Sequence, residues 1–230
     1  MAVNSLILSA RQIRKRFDPE APWILDGIDL DVKAGTRVAI VGPSGSGKST
    51  LLGILGTLER PDEGQVSLDG STYAGLTDTD RAALRRGSIG FVFQDHHLLP
   101  QCSALQNVLL PLLARPGQPL VNEERERGRA LLGALGLGDR SDAWPHQLST
   151  GQRQRIAVAR ALIASPTLVL ADEPTGSLDR ANADALVDLL MEHAGAAAVV
   201  VVTHSERVAN ACDRILELCD GRLVERGPSS

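Results

Sequence analysis

Apolar residues recur along the chain in two patterns, one typical of strands and one typical of helices. Two-residue alternation and short apolar runs predict strands, whereas a period of about 3.6 residues predicts helices. The predicted strands are 6–13, 24–32, 36–41, 64–68, 89–93, 168–171, 198–203, 215–218 and 223–226. The predicted helices are 48–58, 77–86, 104–113, 123–135, one from 149 that stops before 166, and 180–193. We expect the last two strands to form a hairpin.

The order of these elements predicts the fold class. Strands and helices alternate in the first and last parts of the chain, but residues 95–165 contain only predicted helices. Alternation of this kind builds a mostly parallel sheet covered by helices. We therefore expect one α/β domain over residues 1–230. Its core would comprise about 1–94 and 166–230, and a helical insertion would span about 95–165.

Composition narrows the class of protein. Hydrophobic residues make up 43% and charged residues 23%, a balance typical of globular domains. The net charge of −4 argues against nucleic acid as a partner. Cys102, Cys212 and Cys219 lack metal-ligand spacing, so we expect them to be small packing residues in a reducing compartment. Residues 1–5 lack the features of a signal peptide, and the longest apolar runs are too short to cross a bilayer.

A glycine-rich segment follows the third predicted strand and leads into a helix. It consists of Gly42, Pro43, Ser44, Gly45, Ser46, Gly47, Lys48, Ser49 and Thr50. Small residues let backbone N–H groups approach phosphate oxygens, and the helix N-terminus adds partial positive charge. Lys48 is then expected to reach the β- and γ-phosphates, and Ser49 to bind magnesium. A chance glycine turn is disfavoured because of the flanking strand and helix, so the segment predicts ATP and Mg²⁺ as ligands.

An acidic pair follows the apolar run at 168–171. Carboxylates at the end of a buried parallel strand lie where such sheets bind ligands. Asp172 can therefore hold magnesium, and Glu173 can deprotonate the attacking water. An acidic pair alone is commonplace, but the glycine-rich segment makes the catalytic interpretation more favourable.

The third motif is Leu148 to Gln152, at the start of a predicted helix. Its small turn would present N–H groups and a positive helix end to an anion, although Ser149 can also be an ordinary helix cap. Together, the three motifs resemble the ATPase subunit of ABC transporters. The resemblance extends over nearly the whole chain. It implies a P-loop NTPase (RecA-like) core with a mostly parallel sheet, an antiparallel β subdomain and an inserted α-helical signature subdomain.

The resemblance also implies functional roles for individual residues. Two copies of the chain would enclose two ATP molecules as a homodimer, with catalytic roles for Lys48, Gln94, Glu173 and His204. Gln94 would contact magnesium, and Phe17 would stack on adenine unless it is an ordinary core or edge aromatic. The second copy would contribute its signature segment and interface loop to each ATP. These residues are Ser149, Thr150, Gly151, Gln152 and Asp179.

Thr150 departs from the glycine that the family usually has at this position. A β-branched residue would cost on the order of 1–3 kcal/mol if the position needs a positive φ or a very close approach of the phosphate. If the backbone is ordinary, threonine costs little and adds a hydroxyl. The alternatives are a slowed ATPase and an unimpaired one.

Two further segments, 93–100 and 104–108, resemble the lipoprotein-releasing and macrolide-export ATPases. The resemblance implies transmembrane permease subunits that dock between Gln94 and Pro100, and a location at the cytoplasmic face of the inner membrane. Leu98, Leu99 and Pro100 would form an apolar groove floor with histidines at its rim. From spacing alone, an ordinary surface loop with two histidines is favoured over a docking groove. The rival functions are an ABC ATPase acting on nucleic acid or the ribosome, and a regulatory module with little turnover.

Overall fold

The structure is a computed structural model that describes residues 5–226. The first four residues, on which the expected absence of a signal peptide mainly rests, lie outside this range. Within the described range, no helix combines the length and the apolar character needed to cross a membrane.

Residues 5–226 form ten strands and seven α-helices. The strands are β1 Leu6–Lys15, β2 Leu25–Lys33, β3 Arg37–Val41, β4 Glu63–Leu68, β5 Ser71–Thr72, β6 Ile89–Phe93, β7 Leu168–Asp172, β8 Ala198–Val202, β9 Arg214–Cys219 and β10 Arg222–Glu225. The helices are α1 Lys48–Leu55, α2 Asp78–Gly87, α3 Ala104–Leu113, α4 Asn122–Ala134, α5 Thr150–Leu162, α6 Arg180–His193 and α7 Glu206–Asn210.

The predicted elements are all present, with small errors at their ends. The first helix stops at Leu55 rather than at residue 58, because Gly56 caps it and Thr57 takes a left-handed φ of 62°. The two-residue strand β5 and the five-residue helix α7 were not predicted. Both are too short to show a hydrophobic period.

Two sheets form the framework. The larger has the order β10-β9-β3-β8-β7-β6, with every neighbouring pair parallel except β9 and β10. The hairpin of β9 and β10 was predicted. The smaller sheet is antiparallel, in the order β2-β1-β4-β5. The predicted α/β class, with a mostly parallel sheet and a separate antiparallel sheet, is confirmed.

The central strands β7 and β8 are buried on both faces. Along β7, Val169 and Ala171 pack in a cluster with helices α3 to α6, whereas Leu168 and Leu170 pack in a second cluster with α1 and the antiparallel sheet. Successive side chains of a strand point to opposite faces, so burial on both sides requires a continuous apolar run. The acidic side chains can appear only where that run ends.

The cysteines differ from the prediction at one position. Cys212 packs against the helical cluster, and burial raises the pKa of its thiol to about 12. Cys102 is half-buried, but Cys219 is exposed at the end of β9 and is not a packing residue.

Candidate nucleotide-binding site

A cavity of about 510 Å³ lies at the C-terminal edge of the parallel sheet, within the size range of small-molecule sites. Loops following β3, β6, β7 and β8 reach it, because parallel strands all end at the same edge. The lining residues are Ile24, Ser44, Gly45, Gly47, Lys48, Ser49, Thr50, Gln94, Asp172, Glu173, Gly176, Val202 and His204.

The glycine-rich segment wraps around the start of α1. Gly47 is the N-cap residue, with a left-handed φ of 98°. A Cβ atom there would lie 2.7 Å from Cγ2 of Ile24, so only glycine fits the position without a shift. No side chain of the described part of the chain caps α1. Its first N–H groups therefore remain available to an anion.

The Lys48 ammonium lies inside this segment. Its Nζ donates hydrogen bonds to the carbonyl oxygens of Gly42 at 3.0 Å and Pro43 at 2.8 Å, and the residue is buried. The hydroxyl oxygen of Ser46 is buried without a hydrogen-bond partner among the described residues. A cation, free N–H groups and an unpartnered hydroxyl together form a site suited to phosphate.

Glu173 and His204 face each other across the same cavity. The backbone N–H of His204 donates to Oε2 of Glu173 at 3.3 Å, and the imidazole Nε2 lies 3.4 Å from Oε1. Oε1 itself is buried and accepts no hydrogen bond from any residue in the range 5–226. Glu173 has a left-handed φ of 45°, an uncommon conformation that clusters at functional sites. One carboxylate oxygen is thus held, and the other is left with an unused acceptor.

Asp172 and Gln94 complete the polar wall. Asp172 ends β7 and is paired in register with Phe93, so Gln94 is the first residue past the neighbouring strand. Gly176 allows the Gln94 side chain to approach, because a Cβ atom at this glycine would lie 2.9 Å from Nε2. The oxygen donors of Asp172, Gln94 and Ser49 therefore line one cavity.

Other predicted site residues do not line this cavity. Phe17 is 66% exposed, and its ring lies 5.5 Å from Nζ of Lys15. An exposed ring rules out the interpretation of Phe17 as a core aromatic and leaves a face free for stacking. The signature residues and Asp179 also lie away from the cavity of their own chain.

The signature segment forms a reciprocal helix cap. Ser149 Oγ accepts from the backbone N–H of Gln152 at 3.2 Å, and Gln152 Oε1 accepts from the N–H of Ser149 at 2.9 Å. Thr150 is the first helical residue, without a positive φ, and its hydroxyl accepts from Arg153 at 3.2 Å. The threonine therefore costs little backbone energy. Of the two grounds for a slowed ATPase, the backbone strain is absent, and the close approach of a phosphate on a second copy stays a prediction.

Asp179 caps α6 close to the signature. Its carboxylate accepts from the backbone N–H of Asn182 at 3.0 Å and from the Asn182 amide at 2.7 Å. The backbone hydrogen bond from Asn182, followed by that side-chain bond, lowers the pKa of Asp179. A Cβ atom on Gly151 would lie 3.5 Å from Oδ1 of Asn182. The two predicted interface segments are therefore neighbours on one surface.

The structure has a groove beside the segment predicted to dock a permease, but the expected floor residues do not line it. A groove of about 260 Å³ is present, but Leu98, Leu99 and Pro100 do not line it, and Leu98 packs against the helical core. His96 points inward to Gln154, so only His97 reaches the groove. The lining residues are Arg85, Arg86, Ile89, Gly90, Phe91, Phe93, His97, Pro111, Arg160, Ala161 and Ala164.

Aromatic rings shape the floor of this groove. Phe91 and Phe93 are stacked with centroids 5.5 Å apart, and His97 meets Phe93 edge-on at 5.3 Å. Leu98 turns towards the core whereas Leu99 is 37% exposed, so the docking role of this triplet stays a prediction. Phe91 and Phe93 lie on the face of β6 that the helices leave partly open.

Sequence reasoning missed four residues around the cavity. Ile24, Gly176 and Val202 line it, and Gln154 lies behind it. None carries a motif that distinguishes it from ordinary strand, loop or helix residues.

Residues 25–176 match the family model described as ABC transporter. The chain belongs to the ABC transporter family. It is an ATP-binding, ATP-hydrolysing subunit of that family.

Named relatives cover almost the whole chain. The lipoprotein-releasing system ATP-binding protein LolD of Pseudomonas syringae pv. tomato is 48% identical over 96% of this chain and 99% of that protein. The LolD protein of Anaeromyxobacter dehalogenans is 50% identical over 94% of this chain and 92% of that protein. Among solved structures, a dimeric ATP-binding cassette in a post-hydrolysis state bound to ADP and Pi has a TM-score of 0.87. It is 38% identical, and the alignment covers 97% of this chain and all of that one.

Proposed function

We propose that this chain supplies the ATPase activity for a lipoprotein-releasing transporter, as the LolD proteins do. The observation that carries this proposal is an identity of 47–50% to LolD proteins over at least 89% of the chain. Macrolide export remains the rival within the same family. The location proposed is the cytoplasmic face of the inner membrane, where the chain is held by its membrane partner.

The cavity at the sheet edge is proposed to hold ATP with Mg²⁺. The phosphates would bind the uncapped N-terminus of α1 and the Lys48 ammonium. Phe17 would stack on the adenine ring. The donor set of Ser49, Asp172 and Gln94 fits magnesium, because hard cations prefer oxygen ligands. Magnesium would neutralise phosphate charge during transfer.

Glu173 is proposed as the general base. Glu173 lines the cavity, and its Oε1 accepts no hydrogen bond from the described residues, so a small movement of the carboxylate would let it take the proton of a water that attacks the γ-phosphate. His204 holds the other oxygen through its backbone N–H and places its imidazole beside the carboxylate. The histidine would thus orient the base and contact the γ-phosphate.

Two copies are proposed to close as a homodimer around two ATP molecules. The signature and Asp179 do not line the cavity of their own chain, so they are available to the cavity of a second copy. In this arrangement Ser149, Thr150, Gly151 and Gln152 would complete the phosphate site in trans. ATP can drive the membrane subunits only if it binds the closed dimer more tightly than the open dimer.

The permease is proposed to dock in the groove floored by Phe91 and Phe93. Three arginines line it without a lining carboxylate. Arg85 donates to Thr57 and Arg160 to backbone carbonyls, whereas Arg86 makes no hydrogen bond or ion pair with the described residues. Charge complementarity therefore favours a short helix with an apolar face and a carboxylate. Residues about 95–165 would move with this helix as a subdomain.

Copurification of the native membrane partner tests the proposal. The purified complex, reconstituted in vesicles, should hydrolyse ATP faster in the presence of an acylated lipoprotein and should release that lipoprotein. Stimulation by a macrolide, with none by lipoprotein, would assign the chain to export instead. Arg86→Glu should weaken complex assembly, whereas Arg129→Glu, at an exposed site on α4 outside the groove, serves as the control.

A further inference from the structure

Behind the cavity lies one fully buried carboxamide, that of Gln154 on α5. Its Nε2 donates to the carbonyl oxygens of Phe93 and Pro174, each at 2.9 Å. Its Oε1 lies 2.9 Å from Nδ1 of His96. A carboxamide offers two N–H donors and one oxygen acceptor, so both donors and the acceptor are in use.

The two carbonyl groups flank the residues proposed for catalysis. Phe93 directly precedes Gln94, and Pro174 directly follows Glu173. The paired register of β6 and β7 runs only as far as Phe93 and Asp172. Just beyond that point, the β6–β7 backbone hydrogen bonds stop. The buried carboxamide of Gln154 then connects the segment after β6 to the segment after β7.

The orientation of the carboxamide is fixed by chemistry. If the group were reversed, its oxygen would face two carbonyl oxygens, so the amide nitrogen must point to them and Nδ1 of His96 must carry a proton. The same helix also holds the following segment through Arg160, which donates to the carbonyls of His96 at 2.6 Å and His97 at 2.7 Å. Buried hydrogen bonds of this kind keep a segment in a single arrangement.

We infer that Gln154 is a positioning residue for ATP hydrolysis. By binding both carbonyl groups, it sets the separation between the side chains of Gln94 and Glu173 on the cavity wall. This inference rests on the catalytic roles proposed for those two residues. A displacement of about 1 Å in a catalytic group can cost about 10²-fold in rate, so loss of the link should affect turnover more than binding.

The test is Gln154→Met, which keeps the side-chain length but removes both donors. We expect kcat for ATP hydrolysis to fall about 10- to 100-fold. We expect the Kd of a fluorescent ATP analogue to stay within about threefold, because the phosphate-binding segment lies on another helix. A kcat within about twofold of the wild type, in a folded protein, would overturn the inference.

A matched control separates positioning from general destabilisation. Asn107 on α3 is also fully buried, and its carboxamide bonds Leu99, Cys102 and Ser103, away from the cavity. Asn107→Leu should lower the Tm while leaving kcat unchanged. An equal fall of kcat in both variants would show that Gln154 is only structural.

Double variants identify the groups through which Gln154 acts. In a Gln94→Ala or Glu173→Gln background, adding Gln154→Met should lower single-turnover rates by less than it does in the wild type. If Gln154→Met lowers the single-turnover rate by the same factor in both backgrounds as in the wild type, the inference is contradicted. If Glu173→Gln alone kept full turnover, the proposed base would be wrong, and that outcome is separate from a failure confined to Gln154.

Discussion

Two helices of this protein begin at motif segments of small residues, and their first turns are completed in opposite ways. Helix α1 starts after Gly47, which is in a left-handed conformation, and no side chain of the described residues caps it. Helix α5 starts after Ser149, with a reciprocal cap between Ser149 and Gln152. The first N-terminus leaves its donors free, whereas the second already satisfies two of them internally.

This difference makes the N-terminus of α1 the primary phosphate site and the N-terminus of α5 a supplementary one. The start of α1 gains its missing hydrogen bonds only when an anion is bound, so it depends on the nucleotide. The first turn of α5 is already capped within one chain. It can therefore contact a phosphate bound to a second copy, but it does not depend on that phosphate for its hydrogen bonds. Substitutions near α1 should therefore abolish function, and substitutions near α5 should reduce it.

The largest effect is expected at the cavity that α1 shares with Glu173. Glu173→Gln should lower ATP turnover by about 10²- to 10⁴-fold, because the amide cannot accept the proton of the attacking water. ATP binding, measured by titration calorimetry, should remain. Turnover close to that of the wild type would exclude Glu173 as the base.

Loss of the Lys48 ammonium, at the start of α1, is expected to have the next largest effect on turnover. Lys48→Ala removes the ammonium beside Gly42 and Pro43 and should lower turnover by about 10²- to 10³-fold. ATP affinity should fall as well, unlike in the Glu173 variant. Lys33→Ala, at an exposed position on β2, provides the control and should hydrolyse ATP normally. Unchanged ATP affinity in the Lys48 variant would contradict the proposal that Lys48 binds the phosphates.

The cap of α5 can be compared with a matching cap that has no proposed phosphate contact. Ser103 and Gln106 form the same reciprocal cap at the start of α3. Ser149→Ala and Ser103→Ala should each lower the free energy of unfolding by about 1 kcal/mol, measured by urea denaturation. Only Ser149→Ala should also lower turnover, by about 10-fold, because it alone would lose a hydrogen bond to a charged group. Equal turnover in both variants would restrict Ser149 to a capping role.

The smallest effect is expected at Thr150. Because this residue has an ordinary helical backbone, Thr150→Gly should keep turnover within about twofold while lowering the free energy of unfolding by at most about 1 kcal/mol. Steady-state ATPase assays and thermal unfolding measure the two effects. A large gain in turnover would mean that threonine does obstruct closure.

The sequence predicted the parts of this protein that follow a period or a motif. The apolar run at 168–171 predicted a strand with carboxylates at its end, and the structure places Asp172 and Glu173 on the cavity. The sequence did not show that Leu98 packs against the helical core, because no periodicity tells which way a short loop such as Leu98 to Pro100 turns. Gln154 was missed because its role depends on two carbonyl groups distant in sequence, which only the folded chain brings together.

The left-handed backbone of Glu173 has a consequence for how this protein can be stabilised. A glutamate held there costs on the order of 1–3 kcal/mol, which glycine at the same position would largely recover. Screening variants for heat resistance alone would therefore favour loss of the residue proposed to activate water. Any thermostable version for biophysical work should be selected for turnover at the same time.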